Sequence, residues 1–222
     1  MMLYVIPTPI GNLADITLRA IEVLQKVDFV LAEDTRVSGI LLRHLNINKP
    51  LRSYHVKNEH RVVDSVSQQL LAGQSAALIT DAGTPGISDP GFLLIRSCLD
   101  HEIQVQCLPG PTAFVPALVL SGLPAHHFYF EGFLPHKKGR KSRIDYLSSL
   151  DDTFILYESP HRLVRCLSEL VLACGETRPA CVCRELTKLH EEVVRGPLLK
   201  LHAWASAKEK IKGEIVVVVA GM

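Results

Sequence analysis

Glu33-Asp34-Thr35-Arg36 sets two carboxylates beside a guanidinium. At the end of a strand such a group can take a proton from a hydroxyl or grip a phosphate backbone. The same spacing also suits a helix cap closed by a surface ion pair. A second polar cluster, His55, Lys57, Asn58 and Glu59, follows the next strand-like run. His136-Lys137-Lys138-Gly139-Arg140-Lys141-Ser142-Arg143 is the one concentrated basic stretch, either a solvated face or a contact for phosphates. Arg184, Glu185 and Lys188 form a further charged group, for which a structural ion pair between Arg184 and Glu185 is an equally good account. His161 and Arg162 stand where they either orient a ligand or cap a helix. Four carboxylates, Glu33, Asp34, Asp81 and Asp89, would be needed for a metal-dependent phosphohydrolase, but they lack a tight ligand motif. No pair among the 10 histidines has the spacing of a catalytic metal site, so no metal is expected.

These groups need a scaffold, and the hydrophobic pattern supplies one. Leu3–Ile6, Asp28–Ala32, Leu51–Tyr54, Ala76–Ile79 and Gln104–Leu108 read as short strands without alternation, as in a parallel sheet covered on both faces. Helical stripes lie between them, at Ile16, Ala20, Val23 and Leu24 and at Val62, Val63, Val66, Leu70 and Leu71. Asp15 and Asp89-Pro90 stand as helix-start signals. Three of the strand runs open into Pro/Gly loops: Pro7–Asn12, Asp81–Gly91 and Pro109–Ala113. Ligands of open parallel sheets bind beyond the carboxyl ends of the strands, where such loops lie. Neither a G-x-x-x-x-G-K-[ST] nor a G-x-G-x-x-G motif accompanies them, which disfavours a nucleoside triphosphate or a dinucleotide. A ligand of low net charge, held largely by backbone groups, fits better.

The texture changes near Gly122-Leu123-Pro124. Beyond it, Phe128–Glu131, Phe154–Tyr157, Ala180–Arg184, Val193–Gly196 and Glu214–Ala220 are strand candidates, and helical patterns lie near Ser142–Leu150, Pro160–Ala173 and Leu198–Ala207. Two strands close together across Leu186–Glu192 imply an antiparallel or mixed sheet. The expectation is therefore two α/β domains, 1–122 and 123–222.

The 222 residues carry 24 Lys+Arg against 23 Asp+Glu, a balance that neither requires nor excludes a nucleic-acid partner. The six cysteines include no C-x-x-C pair, and their apolar neighbours suggest buried reduced thiols and a cytoplasmic setting. Cys181 and Cys183 share one strand face, where core packing is the simpler reading, and Trp204 sits on a helical pattern as a packing residue. No signal-peptide core or membrane span is expected.

Read in order, LYVIPTPIGNLADITLR (Leu3–Arg19), AEDTR (Ala32–Arg36), TDAGTPGISDPG (Thr80–Gly91), LPGPTA (Leu108–Ala113), YFEGFL (Tyr129–Leu134), YESPHR (Tyr157–Arg162), RELTK (Arg184–Lys188) and KGEIV (Lys212–Val216) closely resemble the small-subunit ribosomal RNA methyltransferase I family. That family comprises the 16S rRNA cytidine-2'-O-methyltransferases, within the tetrapyrrole-methylase-like class III of S-adenosylmethionine enzymes. The resemblance covers essentially the whole chain. It implies a tetrapyrrole methylase-like fold of two α/β domains with S-adenosyl-L-methionine in the cleft between them, a homodimer, and 16S rRNA or the small ribosomal subunit as partner, with no membrane. It assigns the donor pocket to Pro9, Ile10, Asp81, Gly83, Thr84, Pro85, Ile87, Thr112 and Ala113, with Tyr157, Glu158, Lys212 and Gly213 closing it. Glu158 replaces a residue that is apolar in the tetrapyrrole enzymes. Asp34 would be the base or the acceptor-orienting group, with Glu33 beside it and Arg36 contacting RNA. Val56 and Lys57 stand where relatives often carry histidine or aspartate, which weakens a histidine base there. The basic run 136–143 becomes the phosphate-contact candidate.

Three rivals remain at this stage. A tetrapyrrole (corrin or porphyrin) C-methyltransferase would be told apart by a turnover assay, and a metal-dependent phosphohydrolase by dependence on Mg²⁺. A non-catalytic rRNA-binding protein would lack affinity for S-adenosylhomocysteine.

Overall fold

A computed structural model describes residues 2–222. The chain divides into two compact units, Met1–Thr112 and Ala113–Met222.

The first unit is built on strands β1 (Met2–Val5), β2 (Phe29–Ala32), β3 (Leu51–Ser53), β4 (Ser75–Ile79) and β5 (Gln104–Cys107). They form one wholly parallel sheet in the order β3-β2-β4-β1-β5. Helices α1 (Leu18–Lys26), α2 (Thr35–His44), α3 (Glu59–Leu71) and α4 (Phe92–Asp100) connect the strands. Successive side chains of a strand point to opposite faces, so a strand covered on both sides must be apolar throughout. Phe29 and Leu31 turn to a core shared with Val66 and Leu70 of α3 and Leu94 and Cys98 of α4. Val30 and Ala32 turn to a second core with Ala20 and Leu24 of α1 and Leu42 of α2. The cap of α1 is Thr17, whose hydroxyl accepts the Ala20 N–H at 3.1 Å, and not Asp15, which lies in a preceding 3-10 turn. Gly91, and not Asp89, caps α4.

The second unit begins with α5 (Phe114–Ser121), which ends at Gly122 in the left-handed conformation, φ 71°. Then come β6 (Phe128–Phe133), α6 (Arg140–Ser148), β7 (Thr153–Glu158), α7 (Leu163–Cys174), β8 (Pro179–Arg184), β9 (Glu192–Pro197), α8 (Leu198–Ser206) and β10 (Ile215–Val219). Its sheet, ordered β6-β7-β10-β8-β9, is mixed: β6 and β7 run parallel and the other pairs antiparallel. One face carries α6, α7 and α8 over Phe154, Leu156, Val182, Val217 and Val219. α5 packs against β8 and β10. Cys181 and Cys183 are buried with their sulfurs 3.7 Å apart, and the Cys183 thiol donates to the Ala117 carbonyl of α5 at 3.9 Å. α5 has no counterpart in the sequence reading, and of α2 only the cap at Asp34 was among its alternatives. Among the described residues, no helix is long and apolar enough to cross a membrane.

Candidate functional site

In the first sheet β1 connects to β2 on one side, and its neighbour β4 connects to β5 on the other. Adjacent strands whose connections leave in opposite directions open a crevice at their carboxyl ends, where α/β sheets bind ligands. The three Pro/Gly loops follow β4, β1 and β5, which lie side by side at that crevice. The sequence thus places them on neighbouring strands although they are far apart along the chain.

The loops are fastened to one another. Thr8 and Gly83 exchange two backbone hydrogen bonds of 2.9 Å, an isolated bridge beyond the sheet. The Thr8 hydroxyl donates to the Thr80 carbonyl at 2.9 Å, and the Thr84 hydroxyl donates to the Pro111 carbonyl at 3.1 Å. Gly110 lies against the Pro7 ring so closely that a Cβ there would fall 2.7 Å from the proline Cβ. Gly83 has φ 84°, which a side chain would strain. Pro9, Ile10, Gly83 and Pro85 are buried, Thr84 is half-buried, and Asp81 and Ile87 are exposed at the rim. Thr112 ends the first unit. No lysine or arginine occurs in residues 7–12, 80–91 or 108–113, whereas Asp81 and Asp89 do. Such a rim suits a ligand with cationic groups and no phosphate.

Carboxylates stand at the end of β2, next to β4. Asp34 caps α2: one oxygen accepts the Arg36 N–H at 2.8 Å, and the Arg36 guanidinium meets its other oxygen at 2.6 Å. These contacts pull the Asp34 carboxyl down to about 2. The helix cap with an ion pair is therefore what Asp34 and Arg36 make in this structure. The Asp34 N–H donates to Asp81 Oδ1 at 3.1 Å, tying the ends of β2 and β4 together. Glu33 is the contrasting group. Burial and the nearby Asp81 charge push its carboxyl above the ordinary value, and burial raises Asp81 as well. Asn58 and Glu59 serve local structure: the Asn58 side chain accepts the His55 main-chain N–H at 2.8 Å and donates to the Ser53 carbonyl at 3.0 Å. Glu59 accepts from the Tyr54 hydroxyl.

In the second unit, one edge of the sheet gathers the end of β6, the end of β7, the end of β8 and the start of β10, since Ile215 pairs with both Glu158 and Arg184. Tyr157, Glu158, Lys212 and Gly213 therefore come together there, while Ala113 precedes α5. The Glu158 carboxylate is fully buried and saturated. It meets Arg140 at 3.3 Å and Arg162 at 2.8 Å, and it accepts the Ser159 N–H at 2.7 Å. Tyr157 packs edge-on against Phe130 and Phe133. Gly213, φ 94°, is a necessity, because a side chain there would fall on Glu185. Arg184 pairs with Glu192 at 3.0 Å and donates to the Lys212 carbonyl at 3.1 Å. Glu185, in the left-handed region at φ 53°, turns instead to Lys188 at 2.8 Å and accepts the Glu214 N–H. Arg162 stands at the start of α7 and His161 is exposed. Among the described residues, no group of three or more His, Cys, Asp or Glu side chains is placed to hold a metal ion.

Residues to which the sequence reading gave no such role hold the basic run. Glu169 on α7 takes Arg140 Nε at 2.7 Å, and Glu131 takes Arg143 at 2.6 Å. Arg143 also meets the Tyr129 hydroxyl and lies over the Tyr146 ring. The i,i+4 spacing of Arg165 and Glu169 was a signal in the sequence that Glu169 is engaged in ion pairs.

The tetrapyrrole (corrin/porphyrin) methylase family model matches residues 2–202. The ribosomal RNA small subunit methyltransferase I of Escherichia coli O157:H7 is 48% identical over 221 residues, 99% of this chain and 77% of that protein. The protein of the same name from Synechocystis sp. is 47% identical over 221 residues, 99% of this chain and 79% of its own length. Among solved structures, uroporphyrin-III C-methyltransferase from Thermus thermophilus, complexed with S-adenosylhomocysteine, superposes with a TM-score of 0.68 at 20% identity, over 99% of this chain and 97% of that one. The last likeness concerns the fold, whereas the first two concern the sequence along nearly its whole length. The chain belongs to the tetrapyrrole methylase family and, within it, to the group of ribosomal RNA small subunit methyltransferases I.

Proposed function

We propose that the protein methylates the 2'-hydroxyl of a cytidine in 16S ribosomal RNA, in the cytoplasm and as a homodimer, with S-adenosyl-L-methionine as donor. The observation that carries this reading is the 48% identity, over 99% of this chain, to a relative named for rRNA methylation. The tetrapyrrole C-methyltransferases share the fold at only 20% identity, so tetrapyrrole chemistry is not adopted. The residues of the first unit fit the donor: the three loops carry no lysine or arginine and include Asp81 and Asp89. Ile10, Asp81, Gly83, Thr84, Ile87 and Thr112 would hold it. When bound, it supplies a methyl group on a sulfonium centre.

Methyl transfer is an in-line displacement, so the positioning of the acceptor oxygen supplies much of the rate. A ribose hydroxyl is a weak nucleophile at neutral pH and gains from a base. Asp34, drawn down to about 2 with both oxygens engaged by Arg36, is a weak proton acceptor. Glu33, lifted by burial and by Asp81, is the stronger one. In this reading Glu33 would take the hydroxyl proton while the C–S bond of the donor's sulfonium breaks in favour of the new C–O bond, leaving S-adenosylhomocysteine, and the Asp34–Arg36 pair holds the loop in place.

The test is mass spectrometry of rRNA from cells lacking the protein. One missing 2'-O-methyl on a small-subunit cytidine, restored by the gene, is expected. An unchanged methylation pattern overturns the reading.

A further inference from the structure

The basic run 136–143 separates in the structure into two sets with different surroundings. Arg140 and Arg143 are committed internally. The Arg140 side chain is 3% exposed, between Glu158 and Glu169, and also donates to the Pro135 carbonyl at 3.3 Å. Arg143 is held by Glu131 and Tyr129. Arg162, itself bound to Glu158, reaches His136 Nδ1 at 3.0 Å. The segment before α6 is thus anchored at Pro135, His136 and Arg140.

Lys137, Lys138 and Lys141 are the other set. All three are exposed, and none lies within ion-pair distance of a carboxylate among the described residues. No acidic residue occurs between Glu131 and Asp145. Three unneutralised ammonium groups on an anchored segment call for a polyanion, since mobile lysines would lose more entropy on binding. The polyanion is singled out by what adjoins them. Phe133, the last residue of β6, is 53% exposed and stands edge-on to Tyr157, its register partner on β7. An exposed aromatic ring four residues ahead of the first of these cations matches single-stranded nucleic acid, whose bases stack while its phosphates pair.

We propose that residues 133–141 form the RNA grip of the second unit, with Lys137, Lys138 and Lys141 on the phosphate backbone and Phe133 stacked on an unpaired base. This deepens the methyltransferase reading and rests on it.

The experiment compares the full chain with the triple variant K137Q/K138Q/K141Q and with F133A. It measures binding to a small-subunit rRNA fragment across a salt series, binding of S-adenosylhomocysteine by calorimetry, and thermal unfolding. With three fewer ammonium groups on the phosphates, the slope of log affinity against log salt should flatten by about 2, from ~0.7 per neutralised phosphate on single strands. Affinity at low salt should fall at least about tenfold. F133A should weaken RNA binding by about tenfold with little change in the salt slope. S-adenosylhomocysteine affinity should stay unchanged in both variants, and the unfolding temperature in the triple variant, whereas F133A gives up the ring contact with Tyr157 and should unfold at a slightly lower temperature. An unaltered affinity and slope in the triple variant, with the unsubstituted chain still methylating rRNA, overturns the grip alone. Absence of RNA binding and methylation in the unsubstituted chain overturns the methyltransferase reading and the grip with it. If vesicles of phosphatidylglycerol, and not RNA, lose binding on lysine substitution, the partner is a membrane surface and the proposal fails.

Discussion

At the scale of single residues, Glu33 and Asp34 show how neighbouring carboxylates acquire opposite characters. Asp34 spends both oxygens on Arg36 and on the first turn of α2, and Glu33 sits in a half-buried place facing a second acid. Glu33→Gln should lower kcat by about 10²–10⁴-fold with S-adenosylhomocysteine affinity retained. Asp34→Asn keeps a capping side chain and should cost turnover less than about tenfold. A base works only when ionised, so kcat should fall as pH drops through the raised Glu33 value, in the acid range above that of an ordinary carboxyl. A pH–rate profile from 4 to 8 (the range set by ordinary carboxyl values of about 4) checks this, and a flat profile for Glu33→Gln would accompany it. The sequence displayed both readings of Glu33-Asp34-x-Arg36. It did not display Asp81 beside them, because that meeting depends on β2 pairing with β4. Glu158 is the converse case. The motif that contains it was legible, but its burial between two arginines was not, since Arg140 reaches it from a different helix.

At the scale of elements, strands were legible wherever burial on both faces forced continuous apolar runs, as at Phe29–Ala32 and Ile215–Val219. α5 escaped because Phe-Val-Pro-Ala-Leu-Val-Leu-Ser is apolar on every side and shows no helical stripe. α2 is short and interrupted by Gly39, although Leu41 and Leu42 face the core. The fastening between loops carries its own expectation. Gly110→Ala pushes a methyl into the rigid Pro7 ring, and the loop after β1 must move away from the loop after β5. A loss of about 1–3 kcal/mol in stability should result, together with weaker S-adenosylhomocysteine binding, read by thermal unfolding and calorimetry. The turn after β8 makes a pH-dependent counterpart. Lys188 holds the Glu185 carboxyl below its ordinary value, and Lys208 and Arg184 do the same for Glu192. A lowered folded-state value means stability that is present above the unfolded pKa and lost as pH falls through the folded one. Thermal unfolding followed from neutrality down to about pH 3 should therefore show the second unit weakening below ~4.5, the ordinary Glu range. The Lys188→Met variant should show less of this dependence.

At the scale of the whole molecule, the two units answer different demands with different sheets. The parallel sheet lines up three loops at one end, because every strand there points the same way. The mixed sheet brings strand ends and strand starts to a single edge, so that Tyr157, Arg184 and Gly213 become neighbours despite their separation in sequence. That alternation of helix and strand would give a parallel first half and a mixed second half was readable from spacing alone. Ion pairs of the second unit that join different elements, such as Arg140–Glu158 and Arg143–Glu131, were not. The Thr8–Gly83 bridge and the Pro7–Gly110 contact also set a timetable. The loop after β1 emerges early in synthesis, but the groups that fix its shape arrive only with the loops after β4 and β5. Until Gly83 and then Gly110 have left the ribosome the first loop lacks its partners, so the carboxyl end of this sheet is among the last parts of the unit to mature.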